Sequence, residues 1–525
     1  MSASIDSLEW SEQNAQATVF VGKKYTWATL QNANIPNSLL TQSGFAPKMF
    51  FQKPVRVEKL YPVFEKIVRY FEDNGYPFAS VYLDSLHVDS SMLTGTLRVN
   101  KGPLTKIDTI IINEDSRISR QFLLQYLGLK QGMLYNETKL KNISTRIREL
   151  NFLQESYPWR VEFNVLETKL SIYVKNKSAN RADVLIGLLP NNVDRDGKFL
   201  LTGDIKLALI NALGYGENVQ INWQNLQYKS PRYNMVLQWP YLSKLPIGIS
   251  GKFDFYKRDT LFKNVQGELG LLYQLSANKQ LKAYYELAST RLLSINTNAL
   301  IINRRLPENG DVTYRTFGLE ATTNQVDYKI NPRKGYRFSI NGSVSFRNVI
   351  KNETVEATFD PILAIPFSYL YDSVRLKSYK YSVRSQLSYF HPITKRSVLS
   401  ATYQGGLTFS SDALYRNELY QIGGFRLLRG FDEGSLFVNS YHVLTIEPRY
   451  LLSLNSYFFL FSDIANIQSK YLQFSSSTFA LSTGGGMLFE TKAGLFNLSY
   501  AIGTKDDIPF QFKNAKIHFG YINFF

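Results

Sequence analysis

YRFSINGSVSFR, residues 336–347, alternates apolar and polar side chains along almost its whole length. Tyr336, Phe338, Ile340 and Phe346 fall on one face and polar residues on the other, because successive side chains of a β-strand point to opposite sides. A run of about ten residues matches a tilted strand that crosses the hydrocarbon layer of a membrane. One face suits lipid and the other suits water, so the stretch predicts a membrane-spanning β-strand.

The same alternation recurs in residues 233–241 and 247–255, and nearly everything from residue 180 onward reads as strand and turn. Strands of a soluble antiparallel sandwich also alternate, so alternation alone does not distinguish it from a membrane barrel. The length of the strands and the aromatic rings near their ends favour the membrane barrel. At roughly twenty residues per strand and connection, this region accommodates about sixteen strands. No run of 18 apolar residues occurs, so a helical crossing is not expected.

Residues 17–177 mix helices with strands. Between residues 55 and 74, apolar side chains recur every three or four positions, which predicts an amphipathic helix that Gly75 ends in the left-handed conformation. Two strands follow, and the same order recurs after Gly102, so two β-α-α-β-β domains are predicted, with two unrelated α+β domains as the alternative. The expected boundaries are an N-terminal segment 1–16, small domains 17–102 and 103–177, and a transmembrane barrel 178–525.

The composition is rich in rings and basic residues. Phe, Trp and Tyr make up 14% of the chain, and 60 Lys and Arg exceed 43 Asp and Glu by a net charge of +17. The basic residues alternate with apolar ones along strands, so anionic lipid headgroups are the expected partner and nucleic acid is not. There is no Cys, and the first residues lack the basic and apolar pattern of an export signal.

Three motifs resemble the BamA and TamA superfamily of outer-membrane assembly and transport proteins. Asn74-Gly75-Tyr76-Pro77-Phe78 and Lys101-Gly102-Pro103 look like motifs of its small domains, and Ile422-Gly423-Gly424-Phe425-Arg426-Leu427-Leu428-Arg429-Gly430-Phe431 looks like its barrel loop motif. The resemblance implies a sixteen-stranded barrel in the bacterial outer membrane, preceded by two POTRA domains in the periplasm.

The resemblance also implies particular site residues. The loop carrying Arg429, Gly430 and Phe431 would fold into the lumen as a structural latch, where Arg429 meets Asp463 of the Phe461-Ser462-Asp463 motif and Glu447 is a second acidic partner. A guanidinium needs carboxylates in a partly dehydrated lumen and can also lie on a ring such as Phe461.

The family further implies a weak seam where the first and last barrel strands close the wall. In this chain, a strand near 183–189 would pair with one near 517–525. The expected seam residues are Asp183, Ile186, Phe519, Tyr521 and Phe525.

The leading hypothesis is an assembly factor that captures unfolded outer-membrane protein clients with its POTRA domains and inserts them through the seam, with accessory lipoproteins as further partners. The alternative is a translocator that secretes a dedicated partner protein through the lumen, and a third is a passive porin or receptor. An enzyme is not expected. None of the four His residues forms a metal-spaced pair, and Gly484-Gly485-Gly486 lacks the Lys of a phosphate loop, so no metal or cofactor is predicted.

Overall fold

A computed structural model describes residues 3–10, 14–22, 24–115, 117–190, 199–225, 229–242, 245–276, 278–328, 330–491, 494–506 and 510–524. The chain divides into an N-terminal unit of residues 1–115, 124–148 and 153–175 and a C-terminal unit of residues 116–123, 149–152 and 176–525. No helix in the described part is long and apolar enough to cross a membrane.

The first small domain has the predicted β-α-α-β-β order. It contains β3 (Thr26–Asn32), α1 (Asn37–Ser43), α2 (Val57–Asp73), β4 (Ser80–Asp89) and β5 (Met92–Asn100), with β5 in the centre of the sheet. The buried face of α2 carries Leu60, Val63, Ile67 and Phe71, and all four belong to the apolar core of this domain. Gly75 has φ +96°, so the predicted left-handed turn after this helix is confirmed.

The second small domain repeats this order. It contains β6 (Lys106–Ile107), β7 (Thr109–Asp115), α3 (Arg120–Leu127), β8 (Met133–Leu134), α4 (Glu137–Glu149), β9 (Leu153–Phe163) and β10 (Thr168–Asn176). In its main sheet β10 lies in the centre, parallel to β7, as β5 lies parallel to β3 in the first domain. Both copies bury apolar side chains on a helix and on the central strand, here Leu140 and Ile143 of α4 and Leu170 and Ile172 of β10.

The junction between the two small domains is held by polar contacts. The carboxylate of Asp73, at the end of α2, accepts hydrogen bonds from the backbone N–H and the hydroxyl of Thr138, both at 2.8 Å, in the first turn of α4. The carbonyl of Asp73 accepts a hydrogen bond from Asn136 at 2.7 Å, and the Thr105 N–H donates to the carbonyl of Gly75 at 2.8 Å. One helix end therefore caps the start of the next domain's helix.

A separate hairpin precedes the first small domain. Its strands β1 (Ala3–Trp10) and β2 (Ala15–Val21) pair only with each other among the described residues. The strand β2 straddles the boundary expected between residues 16 and 17.

The C-terminal unit is a closed barrel of sixteen antiparallel strands, so the predicted architecture is confirmed. Its strands are β11 (Arg181–Pro190), β12 (Phe199–Ile210), β13 (Asn218–Asn225), β14 (Pro231–Trp239), β15 (Ile247–Arg258), β16 (Phe262–Ser276), β17 (Lys279–Leu292), β18 (Asp311–Val326), β19 (Gly335–Ile350), β20 (Lys377–Pro392), β21 (Ser397–Ser410), β24 (Ser440–Leu451), β25 (Tyr457–Tyr471), β26 (Phe474–Thr491), β27 (Gly494–Lys505) and β28 (Lys516–Phe524). Neighbours in sequence are neighbours in the wall throughout.

The longest described connections follow β17, β19 and β21, and all lie at the end of the barrel opposite the start of β11. The first two carry helices α5 (Thr297–Asn303) and α6 (Glu353–Ala357). The third, residues 411–439, contains a small hairpin of β22 (Tyr420–Ile422) and β23 (Leu436–Val438). We call residues 411–439 the lumen loop.

The wall has the two faces that the alternation predicts. Phe253 of β15 and Leu269 of β16 are exposed on the outer face, whereas Asp254 and Glu268, the adjacent residues in each strand, are buried inside. In a membrane the outer face contacts lipid and needs apolar side chains. The inner face is polar and surrounds the lumen loop.

Candidate functional site

Arg429 of the lumen loop meets both predicted carboxylates inside the barrel. Its Nη2 donates to Asp463 Oδ1 at 2.8 Å, its Nε donates to Asp463 Oδ2 at 3.3 Å, and its Nη1 donates to Glu447 Oε2 at 2.8 Å. Asp463 is 1% exposed, and Arg429 and Glu447 are each 9% exposed. Two carboxylates around one guanidinium form a buried, charge-assisted network that ties the loop to β24 and β25.

The backbone of the loop is shaped to present this arginine. Leu428 is fully buried and has φ +61°, a left-handed conformation that is uncommon for a branched side chain. The turn directs the Arg429 N–H at Asp463 Oδ2, at 3.1 Å, so Asp463 binds main chain and side chain together. The carbonyl of Arg429 lies 3.0 Å from His518 Nε2 of β28.

Gly430 brings the loop against the barrel wall. Its N–H donates to the hydroxyl of Ser482 at 3.1 Å, and a Cβ at this position would lie 2.5 Å from the Cα of Gly503. Any larger residue would push the loop away from β26 and β27. Phe431 is half-buried and packs on an apolar cluster that includes Leu428 and Val443.

Phe461 supplies the aromatic floor of the site. The Arg429 guanidinium carbon lies 3.4 Å from the centre of the Phe461 ring, within the range of a cation–π interaction. A Cβ on Gly484 would lie 2.8 Å from this ring. The Gly484-Gly485-Gly486 run lies inside β26, where Gly484 and Gly486 leave room for the rings of Phe461 and Phe459.

A second buried ion pair holds the other side of the lumen loop. Arg347 of β19 donates to both carboxylate oxygens of Glu418, at 2.6 and 2.7 Å, and both side chains are fully buried. Glu418 also accepts hydrogen bonds from the Tyr314 hydroxyl and from the Tyr415 N–H, the latter at 2.6 Å. We call Arg347, Glu418 and Tyr314 the second anchor.

The two anchors lie on different parts of the wall. The first binds the loop to β24 and β25, and the second binds it to β18 and β19. Near the second anchor, Asn417 exchanges hydrogen bonds with the backbone of Gly310, at 2.9 and 3.0 Å. The loop therefore bridges the interior between well-separated strands.

The seam between β11 and β28 is short. It pairs residues from Arg181 with Phe524 to Val184 with Tyr521, whereas β18 and β19 pair from Asp311 with Ile350 to Val326 with Gly335. Beyond Val184, β11 pairs only with β12, and residues 516–520 of β28 pair only with β27, within the described part of both strands.

Some of the predicted seam residues lie in the part where β11 and β28 pair, and others lie in the part where they do not. Asp183 pairs with Ile522, and Tyr521 pairs with Val184. Ile186 pairs with Gly203 of β12, and Phe519 pairs with Leu498 of β27, so these two lie where the seam is unpaired. Phe525 lies outside the described residues.

The structure thus brings together Arg429, Gly430, Phe461, Asp463 and Glu447, as the resemblance implied. It adds the second anchor, Ser482 and His518, which sequence reasoning missed. Arg347 and Glu418 are 71 positions apart in ordinary strand and loop sequence, so no local pattern marks them. No three His, Cys, Asp or Glu side chains in the described part lie close enough to hold a metal ion.

Comparisons with known proteins agree on the fold. A family model described as the Omp85 superfamily domain matches residues 211–522. Among solved structures, BamA from Haemophilus ducreyi lacking POTRA domains 1-3 has a TM-score of 0.51 at 14% identity, covering 95% of this chain and 100% of that one. CdiB from Escherichia coli has a TM-score of 0.56 at 13% identity, covering 96% and 91%. CdiB from Acinetobacter baumannii has a TM-score of 0.55 at 13% identity with the same coverage. No curated protein sequence matches the chain.

Proposed function

Because this chain belongs to the Omp85 superfamily of outer-membrane β-barrels, we propose that it is an assembly factor that inserts other barrel proteins into the outer membrane. Its small domains bind client strands in the periplasm. Its barrel then passes these strands into the membrane through the seam between β11 and β28. The proposed work is binding and positioning, without a catalysed bond change.

The short seam is the observation that carries this proposal. A strand edge with unpaired N–H and C=O groups is a template for another strand. Residues 185–190 of β11 and 516–520 of β28 offer two such edges, next to the four residue pairs that close the wall. A client strand can add to either edge with little disruption, since only residues 181–184 and 521–524 must separate.

The small domains offer further edges for client capture. In the described part, β4 of the first domain pairs only with β5, and β9 of the second pairs only with β10. Tyr82 and Val88 on β4 and Tyr157 on β9 are exposed beside these edges. An extended peptide binds such an edge through main-chain hydrogen bonds while side chains supply selectivity.

Locking the seam tests the proposal. The chain has no Cys, so Ala182→Cys with Asn523→Cys introduces one cross-link between directly paired residues. We expect the oxidised variant to lose insertion of client barrels into vesicles and to regain it on reduction, because a locked seam cannot admit a client strand. Insertion is measured as the fraction of client that becomes protease-resistant.

The matched control places a cross-link between strands that are paired along their length. Ala283→Cys with Leu319→Cys joins β17 to β18 at directly opposed positions. This variant should insert clients equally well oxidised and reduced. Full activity of the oxidised seam variant would reject insertion through the seam.

Secretion of a partner protein through the lumen is a second candidate, and the polar interior favours it. A cavity of about 430 Å³ beside the lumen loop is lined by Lys252, Asp254, Glu286, Lys380 and Arg384 among others. A polar, charged lining suits an extended chain in water. Such passage needs the lumen loop to move, so release of the loop should raise the ion conductance of the barrel in a planar bilayer.

A further inference from the structure

We propose that the outer face of β15–β17 carries a binding site for a phosphorylated glycolipid with several acyl chains, the lipid class of the outer leaflet. Two features on this face support it. The first is a row of three cations at the end of the strands, and the second is an apolar groove below that row. Neither feature belongs to the lumen loop or the seam.

The cation row is formed by Lys257, Lys263 and Arg291. Lys257 of β15 is directly opposite Lys263 of β16, and Lys263 is directly opposite Arg291 of β17. All three occupy the outward-facing positions of their strands, in phase with Phe253, Leu269 and Leu287, whose side chains are exposed. The row spans three adjacent strands, which is about 10 Å at the usual strand spacing.

Like charges opposite one another destabilise a sheet, so this row needs anions. Among the described residues, none of the three forms an ion pair with a carboxylate, and the Arg291 guanidinium donates only to the carbonyl of Thr290 at 3.4 Å. The nearby Asp311 accepts hydrogen bonds from the Leu292 N–H and from Asn352. No carboxylate of the described residues lies within ion-pair distance of the three cations, so an anion from outside the chain would stabilise the row.

The groove lies on the same outer face. It has a volume of about 640 Å³ and is bordered by Met235, Leu237, Phe253, Leu269 and Leu287. Its floor contains Gly251 and Gly267, where an added Cβ would meet nothing within 4 Å. An apolar groove on a lipid-facing wall fits an acyl chain, because the surface that lines it is almost entirely apolar.

The spacing of the two features fits one lipid molecule. Gly267 is four residues from Lys263 on the same face of β16, which is about 14 Å along a strand. A fatty acyl chain beginning beside the cation row is long enough to reach the groove. The headgroup would then lie on the cations and the chain would lie over the glycines.

The position of the cation row along the barrel axis indicates which leaflet it faces and which lipid it can bind. The small domains precede β11 in the chain, so the chain enters the barrel at the start of β11. β15 runs in the same direction as β11, and its last residue, Arg258, therefore lies at the opposite side of the membrane from that start. With those domains in the periplasm, the cation row lies in the outer leaflet. A row of three cations about 10 Å wide is suited to a headgroup with more than one phosphate, unlike a glycerophospholipid with a single one.

Lipid binding to the full-length protein in detergent micelles tests the proposal, with lipid A as the bisphosphorylated probe and phosphatidylglycerol as the single-phosphate comparison. We expect lipid A to bind at least tenfold more tightly than phosphatidylglycerol. The combined change Lys257→Gln, Lys263→Gln and Arg291→Gln should weaken lipid A binding at least tenfold. Dissociation constants are measured by native mass spectrometry.

Two further variants separate the features and provide a control. Gly267→Leu fills the groove without changing charge and should weaken binding of lipid A at least threefold. Lys470→Gln removes one outward lysine that lies opposite the neutral Ser475 at the same end of the barrel, and it should leave binding unchanged. Folding of each variant is checked by resistance of the barrel to SDS at room temperature.

Two results would overturn the proposal. One is equal lipid A affinity in the wild type and the triple variant. The other is equal affinity of the wild type for lipid A and for phosphatidylglycerol, or for lipid A without its phosphates. If the triple variant does not fold, Lys263→Gln alone removes the central cation and should weaken binding at least threefold, and no change in that variant would count against the site.

Discussion

Arg429 binds Asp463, Glu447 and the ring of Phe461 at one buried point. Arg429→Ala would leave Asp463, which is 1% exposed, without its cation. Breaking a buried pair in this way typically costs about 3–5 kcal/mol. We expect the variant barrel to fold but to lose its SDS-resistant form at a clearly lower temperature, with a lumen loop cut faster by protease.

Arg429→Lys is the matched variant for this prediction. A lysine keeps the charge but cannot present the fork of donors that binds two carboxylates at once. It should therefore recover only part of the heat resistance. Unchanged heat resistance, protease resistance and client insertion in Arg429→Ala would show that these contacts do not act as a latch.

The second anchor predicts a coupling between two residues. Arg347→Met leaves the fully buried Glu418 carboxylate without a cation and should lower the stability of the barrel. Adding Glu418→Gln removes that unpaired charge and should restore part of the lost stability. Stability is read from the temperature at which the folded form is lost in SDS. Independent, additive effects of the two changes would argue against an anchor. Arg416→Met, which breaks an exposed pair with Glu308, is the control and should have little effect.

At the scale of elements, Asp73 connects α2 of one small domain to α4 of the next. Asp73→Ala removes the acceptor for the Thr138 N–H and hydroxyl, and loss of such a cap typically costs about 1 kcal/mol. We expect a wider spread of distances between spin labels on the two small domains, measured by electron paramagnetic resonance. Asp84→Ala, which breaks an exposed pair with Arg98, should leave that distribution unchanged.

Some elements were predictable and others were not. α2 was located to within about two residues because its apolar positions repeat with the helical period. The short helix α1 and the strands β22 and β23 were not located, since elements of three to seven residues are too short for a clear period. The sequence predicts a last strand near residues 517–525, and β28 occupies 516–524 of the described part, but no local pattern marks the point at which β11 stops pairing with it.

For the whole molecule, the proposed function predicts the effect of removing the protein from the cell. Depletion should lower the amounts of many outer-membrane barrels together, because they share one insertion route. Quantitative proteomics of isolated outer membranes measures this. Loss of one secreted protein with normal barrel levels would favour the translocator, and no change in either would reject both functions.

The sequence by itself determined the class of this protein. Alternation with a period of two and strands of about ten residues predict a membrane barrel, and the family resemblance of the Arg429-Gly430-Phe431 motif implies the outer membrane and a loop in the lumen. This works because each side chain in the wall faces lipid or water, so the local pattern records the environment directly.

Only the tertiary structure decided which residues meet. The pairing of Arg347 with Glu418, the point where the seam ends and the row of Lys257, Lys263 and Arg291 all depend on strand register. Register joins residues that are far apart in the chain, and a shift of one position turns every side chain to the other face. The period of two in the sequence shows whether a side chain faces lipid or the lumen, whereas the strand register in the folded barrel decides which residues it contacts.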